Sequence, residues 1–369
     1  MTDTIDYAAR WADLQEPVLG DVAAYERNVE LLTRLSTPAP ERRLYKPLAD
    51  AADEYVRWCQ SPHERIYTGM AELDAEMRGT APGEMTMFLG YSHSGKTLVL
   101  TKSLIHNRDK RILFFQPDEP RVLTLIKLVC AYHGLAAVDF EQRIAADDEE
   151  AKALLRSTAT EVFPYMAVVD NPLSTQNMER AWDEATDEWG ASPELVVVDF
   201  LELMEDLEMV PQKATWLKGF GRRHDVPMYV LHQLSRSSGA DGKQVTISSG
   251  AYGGETQATH LIGVRRKRSE IQARINELRT MKSTEARDDE IASLEYDLKI
   301  HQFTVSVNLV KNKRPGGDLL PEIDFELIKA SGQLLPLGTD LPRQYRQQSG
   351  LGGRAVVTHD RRYEQQEAF

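Results

Sequence analysis

Residues 88–97 read Phe-Leu-Gly-Tyr-Ser-His-Ser-Gly-Lys-Thr, and no other stretch limits the fold of this chain as much. Gly90 and Gly95 bracket Tyr91, Ser92, His93 and Ser94, and Lys96 and Thr97 follow directly. The apolar run 85–89 before it reads as a buried strand, and the run 98–107 after it as the first turns of a helix. Glycines at this spacing let a strand turn into a helix with several backbone N–H groups aimed at one spot. The helix N-terminus adds the positive end of its dipole. Between a strand and a helix, the pattern is a polyphosphate-binding loop. Lys96 is then placed to reach β- and γ-phosphates, and the Thr97 hydroxyl to ligate Mg²⁺.

The rest of the composition suits a chain with a full core: 41% of residues are hydrophobic and 27% charged. No apolar stretch approaches the roughly 18 residues that span a bilayer. The first residues are acidic and polar, unlike a secretory or transit leader, so the expected setting is cytoplasmic. Cys59 and Cys130, the two cysteines, lie in helical, partly apolar contexts and read as buried structural thiols. A net charge of −13 speaks against a surface broadly coated in positive charge for nucleic acid. It leaves room for nucleic acid held in a small basic or backbone-lined channel.

Three regions follow from the patterning. Residues 1–64 carry two amphipathic helix-like runs, one with Val22, Tyr25, Val29, Leu32 and Leu35 on a face, the other with Leu48, Ala51, Ala52, Tyr55 and Trp58 or Cys59. They are too short for a core of their own and read as a helical arm that packs on something else. Residues 65–340 alternate short Val/Ile/Leu strands with helices, which indicates an α/β domain with a mostly parallel central sheet covered on both faces. Two late strands read as antiparallel additions. Within this domain residues 268–302 form an inserted helical hairpin, with Ile271, Ile275, Leu278 and Met281 and then Ile291, Leu294 and Leu298 at helical spacing. Residues 341–369, rich in Gln, Arg and Gly, are expected to be disordered.

Other candidate site residues sit at strand ends, where ligands bind in parallel sheets. Asp199 ends an apolar strand in "ELVVVDFLELM" and suits the water shell of Mg²⁺. Asp118 and Glu119 lie at the tip of "RILFFQPDEP", where either carboxylate can orient an attacking water. Gln233 ends "PMYVLHQ", where an amide can contact the γ-phosphate. Late in the chain "LVKNKRPGG" supplies Lys311, Lys313 and Arg314.

In this order, the motifs resemble the motor domain of the DnaB-type hexameric replicative helicases, within the RecA-like P-loop ATPases. The likeness runs from "YTGMAELDAEM" at 67–77 through "FLGYSHSGKT", "ILFFQPDEP", "VVVDFLELM" and "VPMYVLHQLSR" to "LVKNKRPGG". It implies an ATP- and Mg²⁺-dependent helicase that forms rings, expected to be hexamers, and moves on single-stranded DNA during replication. It also implies that Lys311 and Lys313 act in trans at a subunit boundary, although arginine is usual at the second place. The family's catalytic glutamate falls on Asp118, with Glu119 adjacent. No counterpart of the family's N-terminal collar domain precedes the motor, which resembles a phage- or plasmid-type variant. The hairpin at 268–302 stands where the family has a short connection, and is expected to dock a loader or replication protein. The Gly/Ser-rich loop 236–256, with Lys243, is expected to face DNA in the channel through backbone N–H groups. The competing reading is a RecA- or RadA-like recombinase or mediator, which shares the phosphate loop and Asp199. A more distant alternative is a regulatory ATPase that acts on protein.

Overall fold

The computed structural model describes residues 47–234, 244–246 and 253–337. The first helix-like run of the arm, the tail after Leu341 and most of the Gly/Ser-rich loop, Lys243 included, lie outside the described residues. The chain divides into two units, Met1–Gln60 and Ser61–Phe369. In the first, helix α1 (Leu48–Gln60) buries none of its residues, and Leu48, Tyr55 and Val56 are exposed. Tyr55 and Trp58, one turn apart, stack with ring centroids 5.6 Å apart. Cys59 is exposed on this helix, contrary to the expectation of a buried thiol, because the apolar stripe it belongs to is uncovered.

The second unit is built on one nine-stranded sheet. Its strands are β1 (Met85–Gly90), β2 (Ile112–Phe115), β3 (Met166–Val169), β4 (Leu195–Val198), β5 (Met228–Gln233), β6 (His260–Arg265), β7 (Thr304–Asn312), β8 (Leu320–Ile328) and β9 (Gln333–Pro336). The spatial order is β3-β2-β4-β5-β1-β6-β7-β8-β9. The first six strands pair in parallel and the last three add in antiparallel fashion. Strand β9 completes the edge and has no clear signal in the sequence, being four residues long.

Alternation along β1 explains the two faces. Met85, Met87 and Leu89 point into one core with Val196, Val198, Met228 and Val230, while Phe88 points into the other with Val197, Tyr229 and Leu231. The first core is closed by α7 (Thr175–Trp189) and α8 (Val210–Arg223), through Met178, Trp182, Leu217 and Phe220. The second is closed by α3 (Lys96–His106), which supplies Val99, Leu100 and Leu104, and by Leu128 of α4 (Arg121–His133). Helix α2 (Ala71–Met77) also packs there through Leu73 and Met77. Helices α5 (Ala137–Ala145) and α6 (Glu149–Ser157) extend α4 with a small cluster of their own around Val129, Cys130, Phe140 and Ala151. Burial pushes the Cys130 thiol up to about 11, so it stays protonated as a structural thiol.

Between β6 and β7 lie α9 (Lys267–Thr280) and α10 (Glu285–Ile300), the inserted hairpin. Ile275 and Leu278 of α9 are buried, whereas α10 buries no residue. Ion pairs Arg274–Glu290 and Arg279–Glu295 join the two helices, at 2.9 and 2.7 Å. No single described helix is long and apolar enough to cross a membrane.

Candidate functional site

The loop from Gly90 to Thr97 leaves β1 at its C-terminal end and enters α3 at Lys96. Gly95 holds φ at +100°, a conformation that side chains oppose. Gly90 is required for a different reason, since a Cβ there would lie 2.4 Å from Ser94 Oγ and 2.5 Å from Val264 O. Lys96 Nζ donates to the carbonyls of Gly90 (2.8 Å) and Tyr91 (2.9 Å), curling back over its own loop. Burial pushes this ammonium down to about 8, against the pull of Asp199 and Glu202.

Asp199, just past β4, accepts from Thr97 Oγ1 at 3.3 Å. Burial raises its pKa to about 6, opposed by Lys96 and the Thr97 bond and reinforced by the nearby carboxylates of Glu119 and Asp118. Gln233 sits opposite Gly90 in register, and the next residue, Leu234, donates to Gly90 O at 3.0 Å. The ends of β1, β4 and β5 therefore meet at one place.

A cleft of about 710 Å³ opens there, lined by Ser92–Thr97, Gln116, Asp118, Glu119, Asp199 and Gln233. Its far wall carries Arg266 and the β8–β9 turn Lys329–Gly332. That turn is tied to the helical side by a bond from Ala137 N to Ala330 O at 2.9 Å. The two carboxylates at the β2 tip differ. Glu119 forms an ion pair with Lys127 of α4, while Asp118 is exposed on the cleft and has no ion pair among the described residues. Two candidates from the loop play another part: the Tyr91 side chain is buried in the first core and Gly90 lies behind the cleft lining.

Lys311 and Lys313 do not line this cleft. Lys311 Nζ donates to the carbonyls of Glu255 (3.1 Å) and Thr256 (3.0 Å), and Lys313 is exposed. Arg314 faces inward: its guanidinium donates to Glu84 Oε1 at 2.6 Å, Met77 O at 3.1 Å and Gly79 O at 3.0 Å. It works as a clamp on the start of the domain.

Sequence reasoning passed over Glu202 and His232. Glu202 Oε1 accepts from the backbone N–H of Gln233 at 3.0 Å and from the Nδ1–H of fully buried His232, and Lys213 Nζ donates to Glu202 O at 2.7 Å. The only signal was position, three residues after Asp199 and one before Gln233. Gln116 was also missed; it is buried, with no partner for Oε1 among the described residues.

Fold and cleft together define a P-loop nucleotide-binding domain with a RecA-like sheet. The family model described as the DnaB-like helicase C terminal domain matches residues 65–249, half of the chain. The chain belongs to this family and is a motor domain of the DnaB type, the class of replicative DNA helicases. No curated protein matches it. Among solved structures, the one titled "ATPase Domain of G40P" is 18% identical with a TM-score of 0.58, covering 79% of this chain and 99% of that one. Another, titled "The Structure Of A DnaB-Like Replicative Helicase And Its Interactions With Primase", is 16% identical with a TM-score of 0.57, covering 84% of this chain and 71% of that one. At these identities the solved structures speak for the fold.

Proposed function

We propose that this chain is an ATP-hydrolysing, ring-forming motor that moves on single-stranded DNA and unwinds duplex, with ATP bound in the cleft. The observation that carries this is the convergence of Lys96, Thr97, Asp118, Asp199 and Gln233 on one cleft at the C-terminal ends of the central strands. The residues fit a Mg²⁺–triphosphate. Ser94 Oγ is buried without a partner among the described residues, and Thr97 Oγ1 and Asp199 already face each other. One hydroxyl and one carboxylate are the kind of sparse protein ligation Mg²⁺ takes beside phosphates and water. When bound, the ion neutralises charge that builds on the β- and γ-oxygens.

Each residue then has a task. Lys96 exchanges its two carbonyl partners for phosphate oxygens. Thr97 holds the ion and Asp199 orders its water shell. Asp118 orients the attacking water and accepts its proton. Gln233 contacts the γ-phosphate through its amide, while its backbone is held by Glu202. Lys311 and Lys313 serve the cleft of a neighbouring copy. DNA runs through a central channel of the ring. The hairpin, with Tyr296 and Met281 exposed, is a docking element for a loader or replication protein.

A forked DNA duplex with ATP and Mg²⁺ tests the reading: strand separation and closed rings in negative stain are expected. Filaments on single-stranded DNA without strand separation would instead support the recombinase reading.

Asp118→Asn should lower hydrolysis by roughly a hundredfold or more at unchanged nucleotide affinity, because it keeps shape and removes the proton acceptor. Glu119→Gln should change the rate only a few-fold, since Glu119 is engaged with Lys127. Steady-state ATPase with a separate binding titration decides; a severe loss in Glu119→Gln with a mild one in Asp118→Asn would reverse the assignment.

Binding should also depend on pH. Phosphate raises the Lys96 pKa, so above about pH 8 the complex holds a proton that the empty site has released. Affinity is then level just below about 8 and falls as the pH rises through it. Calorimetry near pH 9 in two buffers of different ionisation enthalpy should register proton uptake, which Lys96→Ala abolishes. Equal heats for the wild-type protein in both buffers would contradict this.

A further inference from the structure

The inner face of α8 starts against the turn that holds Lys311. Val210 and Ala214 lie 2.8 and 3.5 Å from where a Cβ on Gly254 would sit, in the short helical turn Gly254–Gln257. The carbonyls of that turn accept the Lys311 ammonium. Residues four apart share a helix face, so the stripe Val210, Ala214 continues to Lys218 and then Arg222. Lys218 is half-buried and within charge-interaction range of Lys311, at the end of β7, and of Lys313 just after it. Burial lowers the proton affinity of Lys218 and Lys311, and nearby cations add to it: Lys313 and Arg222 for Lys218, Lys313 and Lys218 for Lys311. Glu255 is the one carboxylate that offsets Lys311.

Lys218, Arg222, Lys311 and Lys313 form no ion pair among the described residues, in a chain whose net charge is −13. Their neighbours contrast with this. Arg223, on the next face of α8, pairs with Glu179 at 2.6 Å, and Arg314 is bound to Glu84. Cations that form no ion pair among the described residues, gathered at one place while adjacent arginines do pair, point to a site for an anion from outside the chain. The lysine that stands where an arginine is usual offers one point charge and not a bidentate fork, which leaves a deficit that another cation can fill.

We propose that Lys218 is a third member of the cation set that this chain presents to the triphosphate held by a neighbouring copy, beside Lys311 and Lys313. This rests on the trans-acting reading given above. Lys218 acts from a rigid helix, so it adds charge at a fixed place, while Lys313 reaches from an exposed turn. Its contact is with the phosphates and not with the attacking water, so its loss lowers turnover and leaves the cleft of its own chain complete.

The test uses the full-length protein at ring-forming concentration, without DNA. Lys218→Ala should lower kcat for ATP by about tenfold or more while the affinity of the chain's own cleft, titrated with a fluorescent ATP analogue under monomer conditions, is unchanged. Lys218→Arg should retain most of the activity. Mixing Lys218→Ala with Lys96→Ala protein should give more activity than the sum of the two, because the second variant supplies the intact cation face. Unchanged kcat with weakened binding of single-stranded DNA would overturn the proposal and assign Lys218 to DNA phosphates. Reduced kcat that mixing does not rescue, while Lys311→Ala is rescued in the same assay, would overturn it in favour of a role within the chain. Failure of rescue for Lys311→Ala as well would bring down the trans-acting reading itself, and this proposal with it.

Discussion

Lys96→Ala is expected to abolish ATP hydrolysis and to leave the fold intact. Both halves follow from what the ammonium touches. Its hydrogen-bond acceptors among the described residues are the carbonyls of Gly90 and Tyr91. Each carbonyl has another donor, Leu234 N for Gly90 and Ser94 N for Tyr91 at 3.1 Å, so neither is orphaned by the substitution. Removing a buried cation also removes a desolvation cost, which is the reason its pKa is depressed. The thermal midpoint without nucleotide should therefore stay near that of the wild-type protein. Catalysis should suffer by a factor on the order of a thousand or more, since the positive group aimed at the developing phosphate charge is gone. Stabilisation by added ATP should vanish with it. Turnover retained in the purified variant would remove the phosphate loop from the active site.

Lys311→Ala and Lys313→Ala should bind nucleotide normally and hydrolyse it on the order of a thousandfold more slowly, the scale of a cation supplied across a boundary. Neither residue lines the cleft of its own chain, so the expected defect belongs to the assembly. Specific activity of the wild-type protein should rise steeply with protein concentration as copies meet. Mixing either variant with Lys96→Ala protein should restore part of the activity, because each contributes the half-site that the other lacks. Assembly should in turn depend on the arm: removing residues 1–60 should lower specific activity at any given concentration, since α1 leaves Leu48, Tyr55 and Val56 exposed. Activity per molecule that is flat on dilution, with no rescue on mixing, would mean that the site is complete within one chain.

Much of this was legible in the linear chain because its signals are local. Glycine spacing, Lys96 and Thr97 define a loop through backbone conformation alone, and unbroken apolar runs define strands buried on both faces. Strand-end positions for Asp118, Asp199 and Gln233 follow from where those runs stop. The hairpin was visible as two helical periods joined by a polar segment. Choices between adjacent or distant residues were not local, and the chain order left them open. Asp118 and Glu119 are neighbours in sequence, and only the packing of α4, which brings Lys127 to Glu119, separates them. Arg314 looked as available as Lys313 until its contacts with Glu84, Met77 and Gly79 turned it inward. Cys59 and the stripe around it have the spacing of a buried face, but burial needs a partner surface, and helical periodicity carries no information about one. Glu202 and His232 lie 30 residues apart and become one unit only because β4 and β5 are adjacent in the sheet. Sequence alone determined the phosphate loop, the alternating α/β order and the strand-end positions of the candidate site, since backbone sterics and apolar periodicity act over a few residues. Tertiary structure alone decided which described charges pair with one another and which side chains meet at the cleft, since that depends on groups brought together from distant parts of the chain.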